Sequence, residues 1–217
     1  RPMAVETVQI AASADDGRWV SIGAVFFNTE DVIVAGRYSD GSLQNIFYRF
    51  LAVDIPQNSH IDSATITLPI AEDVVGTPLL KIKAVAENNS AAISSAADGD
   101  ARALTTAGVD WDDITTPQAP DASPDIAAVI QEVVGRAGWA PNNAIQIIIK
   151  DDGAAVNNWA RVGTFDDASP QLAILTVTYT APDNHGSGRH DIKRARTGAI
   201  AASSYGDIKR SSYGLVR

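Results

Sequence analysis

Four pairs of adjacent aspartates are the densest concentration of reactive groups in this chain: Asp15-Asp16, Asp112-Asp113, Asp151-Asp152 and Asp166-Asp167. Each falls where the pattern predicts a turn or loop. Calcium collects about six to eight oxygens from such loops. Asp15, Asp16, Asp151, Asp152, Asp166 and Asp167 are therefore the calcium candidates. A plainer use competes, because an aspartate in a turn hydrogen-bonds nearby backbone, and this is the expected role at most of them. The four tryptophans, Trp19, Trp111, Trp139 and Trp159, are the next groups with a chemistry. An indole face can stack on a sugar ring, although tryptophan is usually largely buried. Trp111 is the stacking candidate because it lies in a long polar stretch.

Catalytic constellations are missing from the pattern. The histidines are His60, His185 and His190, and no pair has metal-ligand spacing on one element. Gly186-Ser187-Gly188 lacks the flanks of a nucleophile elbow. No glycine loop ends in Lys-Ser or Lys-Thr to cradle a phosphate. The chain has no cysteine, hence no thiolate and no disulfide framework. The expectation is a non-catalytic protein with no cofactor, calcium apart.

The elements that must position these groups read as strands. Alternating or aromatic-rich runs occupy 5–12, 18–27, 32–37, 45–53, 60–70, 79–86, 144–150, 159–165 and 172–179. In 60–70 the set Asp62, Ala64, Ile66, Leu68 and Ile70 is expected to face a core. Asp40-Gly41 marks a hairpin turn. Residues 90–122, rich in Ala, Ser, Asp and Pro, read as a long connection. One helix is predicted after Ser123, with Ser123 as N-cap, Pro124 in the first helical position and Asp125 favouring its N-terminus. Ile126, Val129, Ile130, Val133 and Val134 form its apolar stripe, and Gly135 or Gly138 ends it. About nine short strands with one short α-helix predict an all-β, antiparallel β-sandwich over residues 1–180.

This body resembles the DNRLRE-type β-sandwich modules. The residues that carry the resemblance run from Asn45-Ile46-Phe47-Tyr48-Arg49-Phe50-Leu51 with Ile55-Pro56 to Ile61-Asp62-Ser63-Ala64-Thr65-Ile66-Thr67-Leu68. They continue through Val109-Asp110-Trp111, Ser123-Pro124-Asp125-Ile126 and Gln131-Glu132-Val133-Val134. Gly138-Trp139, Asn143-Ala144-Ile145, Ser169-Pro170-Gln171-Leu172 and Val177-Thr178-Tyr179 complete them. The literal tract that names the group is absent. The resemblance implies a jelly-roll fold of the kind seen in carbohydrate-binding modules and phage structural proteins, and it implies no catalysis.

Beyond a Pro/Gly/Ser linker at 181–189, residues 190–217 repeat every eight positions. Gly198, Gly206 and Gly214 fall in phase, as do Ile192, Ile200, Ile208 and Val216. Ser203, Ser204 and Tyr205 recur as Ser211, Ser212 and Tyr213. So short a period marks a repeated contact. One aliphatic residue per octad cannot offset ordering entropy of about 1–2 kcal/mol per residue, so an extended C-terminal arm needs a partner surface. Residues 183–217 hold seven basic and three acidic residues, a net +4, against ten basic and 23 acidic in the rest. An acidic body with a basic arm favours copies of itself or other subunits of a particle as partners. The expected charge contacts are Arg189, Lys193, Arg194, Arg196, Lys209 and Arg210. The expected apolar anchors are Ile192, Ile200, Tyr205, Ile208 and Tyr213. A body this acidic repels a phosphate backbone, and no stretch approaches the 18 or so apolar residues of a membrane span. The chain starts Arg1-Pro2-Met3 without a signal peptide, so an upstream piece was removed or the numbering begins inside a longer product.

These features predict a structural protein of an extracellular assembly, a phage capsid-decorating or tail subunit on a virion or other extracellular surface. The alternative is a glycan-binding module that takes a polysaccharide.

Overall fold

Two strands buried on both faces run through the centre of the molecule. They are β5 (Leu43–Val53) and β10 (Asn143–Asp151), paired antiparallel from Asn143 opposite Val53 to Ile149 opposite Ile46. Ala144 to Ile149 are all buried, and the sequence there is a near-continuous apolar run, as burial on both faces requires. The structure is a computed structural model and describes residues 2–114, 119–168 and 171–183.

Around this pair the other strands are β1 (Met3–Gln9), β2 (Asp16–Val20), β3 (Val25–Phe27), β4 (Val32–Arg37), β6 (His60–Val75), β7 (Leu80–Ala84), β8 (Val109–Trp111), β9 (Pro120–Ala122), β11 (Asn158–Gly163) and β12 (Ile174–Thr180). All pair antiparallel in one curled sheet, in the order β1-β12-β6-β11-β4-β5-β10-β7-β8. The β2–β3 hairpin lies beside β5, and β9 lies beside β6. The sixteen-residue β6 links two neighbourhoods: its first half pairs with β12 and its second half with β11. The main core fills the inside of the curl, with Ile33, Tyr48, Phe50, Ile66, Leu68, Trp111 and Trp139 among its members. A smaller core of Trp19, Phe47, Val85, Ile93, Ala96 and Ile148 covers the opposite face of β5 and β10.

Two helices pack on this frame. In α2 (Ala127–Val134) the stripe Val129, Ile130, Val133 and Val134 is buried as predicted. The other helix, α1 (Ala96–Ala101), falls inside 90–122. That stretch is therefore not a bare connection, since it also holds β8 and β9. Its apolar residues are too sparse for a periodic signal. What fixes α1 is the cap Ser95, whose hydroxyl accepts the Asp98 N–H at 3.1 Å, and close packing on Trp19. A Cβ on Gly99 would stand 2.8 Å from that indole.

Three further expectations change. The predicted strand 18–27 is a hairpin, broken at Ser21–Ala24, where Gly23 and Ala24 take φ of 92° and 53°. Ser123 does not cap α2: its hydroxyl accepts the Ile66 N–H at 3.1 Å, and Asp125 receives the Ala127 N–H at 2.9 Å. Asp62 is exposed and Ile61 buried, because a bulge pairs Tyr179 with Ile61 and Thr178 with Ser63. The extra residue restarts the alternation, so the predicted inward set holds only from Ala64 onward. The body, Arg1–Pro182, is one compact unit. The predicted arm contacts, from Arg189 and Ile192 to Tyr213, lie outside the described residues.

Candidate functional site

The acidic pairs are divided by the strands that carry them. Asp15 and Asp16 are both fully buried, but Asp15 closes the tight turn Ser13–Asp15 while Asp16 opens β2, and their side chains diverge. Asp15 turns to Arg49 on β5, taking its Nε–H at 2.7 Å. Asp16 turns to the loop after β11 and takes the Phe165 N–H at 2.7 Å. Asp166 in that loop accepts the Ser13 hydroxyl at 2.8 Å. Burial pushes the Asp16 carboxyl up to about 7 against the pull of the Phe165 N–H, and the charges of Asp166 and Asp15 add to the rise. Asp151 accepts the Gly153 N–H at 3.1 Å, a turn role, and Asp152 pairs with Lys81 at 3.1 Å. Among the described residues no group of three or more His, Cys, Asp or Glu is arranged to hold a metal ion. The six aspartates proposed for calcium are thus not assembled into one carboxylate site.

Trp111 is likewise no stacking platform. It is fully buried in the main core, because β8 hydrogen-bonds along β7 with Trp111 opposite Leu80. Trp19 and Trp139 are buried too. Trp159 alone of the four is only half-buried, and it stands beside a polar cleft.

This cleft, about 340 Å3, is lined by Arg18, Glu30, Val32, Val34, Tyr38, Gln44 and Arg161. Register explains the set. Arg161 lies opposite Val34 and Trp159 opposite Gly36 in the β4–β11 pairing, so all four share one face. Gly36 has φ of 104°, and a Cβ there would stand 2.7 Å from the Asn158 carbonyl oxygen. Only glycine lets β11 approach so closely. Tyr38 follows on the chain, its ring 5.3 Å from that of Trp159 and tilted by 50°. The Arg161 guanidinium stands 5.5 Å over the Trp159 ring.

On the other wall Arg18 is held in a fork. It donates to both Glu30 carboxylate oxygens, at 2.7 and 3.1 Å, and to Gln44 Oε1 at 2.7 Å, with Phe27 under its guanidinium at 4.2 Å. Gln44 then donates to the Ser42 hydroxyl at 2.7 Å, which donates to Asp40 at 2.6 Å. The two bonds from Ser42 hold the Asp40 carboxyl below the usual carboxylate range. Each group in this chain is both restrained and left with hydrogen-bonding capacity, since a carboxylate offers about four acceptor sites. Such a wall offers fixed acceptors and donors beside aromatic faces, over an apolar floor of Val32 and Val34.

No family model and no curated protein matches this chain. The functional reading therefore rests on the geometry. Around the cleft, only Asp40-Gly41 as a turn and Trp159 as one of four tryptophans stood out in the sequence. Arg18, Glu30, Gln44 and Arg161 sit on four different elements, and no local spacing joins them.

Proposed function

We propose that the body is a non-catalytic glycan-binding module and that the cleft beside Tyr38 and Trp159 takes one sugar unit of a larger polysaccharide. The observation that carries this reading is the pre-bonded Glu30–Arg18–Gln44 wall facing an aromatic pair. Ligand sites combine apolar and aromatic surface with a few oriented polar groups, and sugar rings present a C–H face and planar-directed hydroxyls that suit both. The volume is at the small end of the usual range of about 300–1,000 Å3, fitting one ring rather than a long oligomer. The test is a glycan array followed by calorimetry with Tyr38→Ala and Gln44→Ala. Each is expected to weaken binding by about tenfold, near 1.4 kcal/mol, and Tyr38→Ala to do so without lowering the unfolding midpoint appreciably. A blank array, or variants that bind as the parent does, would overturn the proposal.

A second reading is carried by the charge division between body and arm and by the octad repeat: the protein is a subunit of a particle such as a phage virion. Residues Met3 and Val5 of β1 are 67% and 64% exposed, and β1 pairs only with β12 among the described strands. An open strand edge of this kind accepts an added strand. The two readings are compatible. Many weak sugar contacts presented on one particle would reinforce one another through effective concentration.

A further inference from the structure

A second cleft, about 260 Å3, lies along β7 and β10 and includes Lys81, Lys83, Lys150, Ile148, Asp151 and Asp152 in its lining. Lys81 stands directly opposite Lys150, and Lys83 opposite Ile148. All four side chains therefore project from one face. Like charges directly opposite each other in a ladder are destabilising. This body nevertheless gathers three of its ten basic residues here.

The three ammonium groups are not equally satisfied. Lys81 is neutralised by Asp110 and by Asp152. Among the described residues Lys83 donates only to backbone carbonyls, those of Thr105 at 3.1 Å and Thr106 at 3.4 Å. Lys150 makes no hydrogen bond or ion pair among the described residues and rests 5.4 Å over the Trp19 ring. Burial lowers its affinity for a proton, with the charge of Asp100 opposing that shift. Two cations without a hydrogen-bonded carboxylate thus face one cleft.

We propose that this cleft binds the carboxylate of an acidic sugar, a uronate unit of a polysaccharide, through the ammonium groups of Lys83 and Lys150. The exposed carboxylate of Asp152 accepts one of its hydroxyls. The acidic rim selects against a polyphosphate, whose charges are closely spaced and which brings few hydroxyl donors at that position. A uronate brings one negative charge together with several hydroxyls, matching a site that mixes both signs. This deepens the glycan reading and rests on it for the polymer, but uses a different cleft.

The test is amine acetylation of the full chain near pH 8, read lysine by lysine by mass spectrometry, with tri-galacturonate or its methyl ester present. Tri-galacturonate is expected to slow modification of Lys83 and Lys150 by about tenfold, and the ester to leave both unchanged. In parallel, Lys83→Gln/Lys150→Gln should lose about tenfold in affinity for polygalacturonate, with binding at the Tyr38 cleft untouched. Equal modification with and without tri-galacturonate overturns the inference. So does protection confined to Lys193 and Lys209, which moves the contact to the arm. Equal protection by a sulfated neutral oligosaccharide overturns the uronate assignment. If Tyr38→Ala weakens a neutral glycan while Lys150 stays unprotected, this inference fails and the proposed function stands. If Lys150 is protected and Tyr38→Ala changes nothing, the reverse holds.

Discussion

Asp16 is fully buried with one carboxylate oxygen on the Phe165 N–H and the other without a partner. Burial, the leading cause, sets its folded value near 7 against an unfolded value near 3.8. The folded state therefore binds this proton more tightly than the unfolded state. Its contribution to stability is fully present below about pH 4 and is lost as pH rises towards 7. At about 1.36 kcal/mol per unit, the full effect is on the order of 4 kcal/mol. Asp16→Asn, uncharged at every pH, is expected to flatten the decline between pH 4 and 7 and to stabilise the protein at pH 8. Urea unfolding of both proteins across that range checks this, and parallel curves for the two would sink it. The Asp15 carboxylate is instead held by Arg49. The adjacent pair, identical in type, is given two roles by the junction between the turn Ser13–Asp15 and β2.

At the scale of elements, α2 and the segment before it close the free side of β6. Strand β9 pairs with Thr67 to Pro69. Ser123 and Asp125 accept the N–H groups of Ile66 and Ala64 at 3.1 and 2.9 Å, and Ile126 donates to the Ala64 carbonyl at 2.8 Å. Gln131 on the helix accepts the Ile61 N–H at 2.9 Å and donates to the Ser59 carbonyl at 3.0 Å. A strand edge that could template aggregation is thereby covered. Asp125 serves β6 and the α2 N-terminus with one oxygen, Oδ1. Asp125→Ala is expected to cost about 1–2 kcal/mol and to raise aggregation on mild heating. Chemical denaturation and light scattering check the two effects separately, and an unchanged midpoint would show that water replaces the carboxylate. The helix itself was legible because its apolar stripe repeats at helical spacing. The role of Ser123 was not, because its hydroxyl bonds a strand 57 positions earlier in the chain.

At the scale of the whole molecule, an acidic body and a basic arm should attract one another between chains. Residues 1–182 contain the described core, so truncation after Pro182 is expected to leave the unfolding transition of the body intact. It is also expected to abolish assembly that the full chain shows at low salt. Raising ionic strength should weaken that assembly, since the Debye length falls from about 10 Å at 0.1 M to about 3 Å at 1 M. Sedimentation of both forms over a salt series measures this. A truncated chain that assembles as the full chain does would remove the arm from the mechanism.

The sequence alone determined what depends on local period and composition: alternating runs that became strands, the stripe of α2, the charge division and the octad repeat. Both strands of the central pair were legible too, as 45–53 and 144–150, because burial on both faces favours runs rich in apolar and aromatic residues. The short β3, β8 and β9 and the six-residue α1 were not, because each is too brief to show a period and is held by distant partners. Tertiary structure decided the rest. It buried Trp111 under β7, left Trp159 beside a cleft, split Asp15 from Asp16, and set Lys150 opposite Lys81. The physical reason is common to all four. A side chain's chemistry depends on its burial and its neighbours, and in an antiparallel sheet those neighbours are chosen by register between strands far apart in sequence.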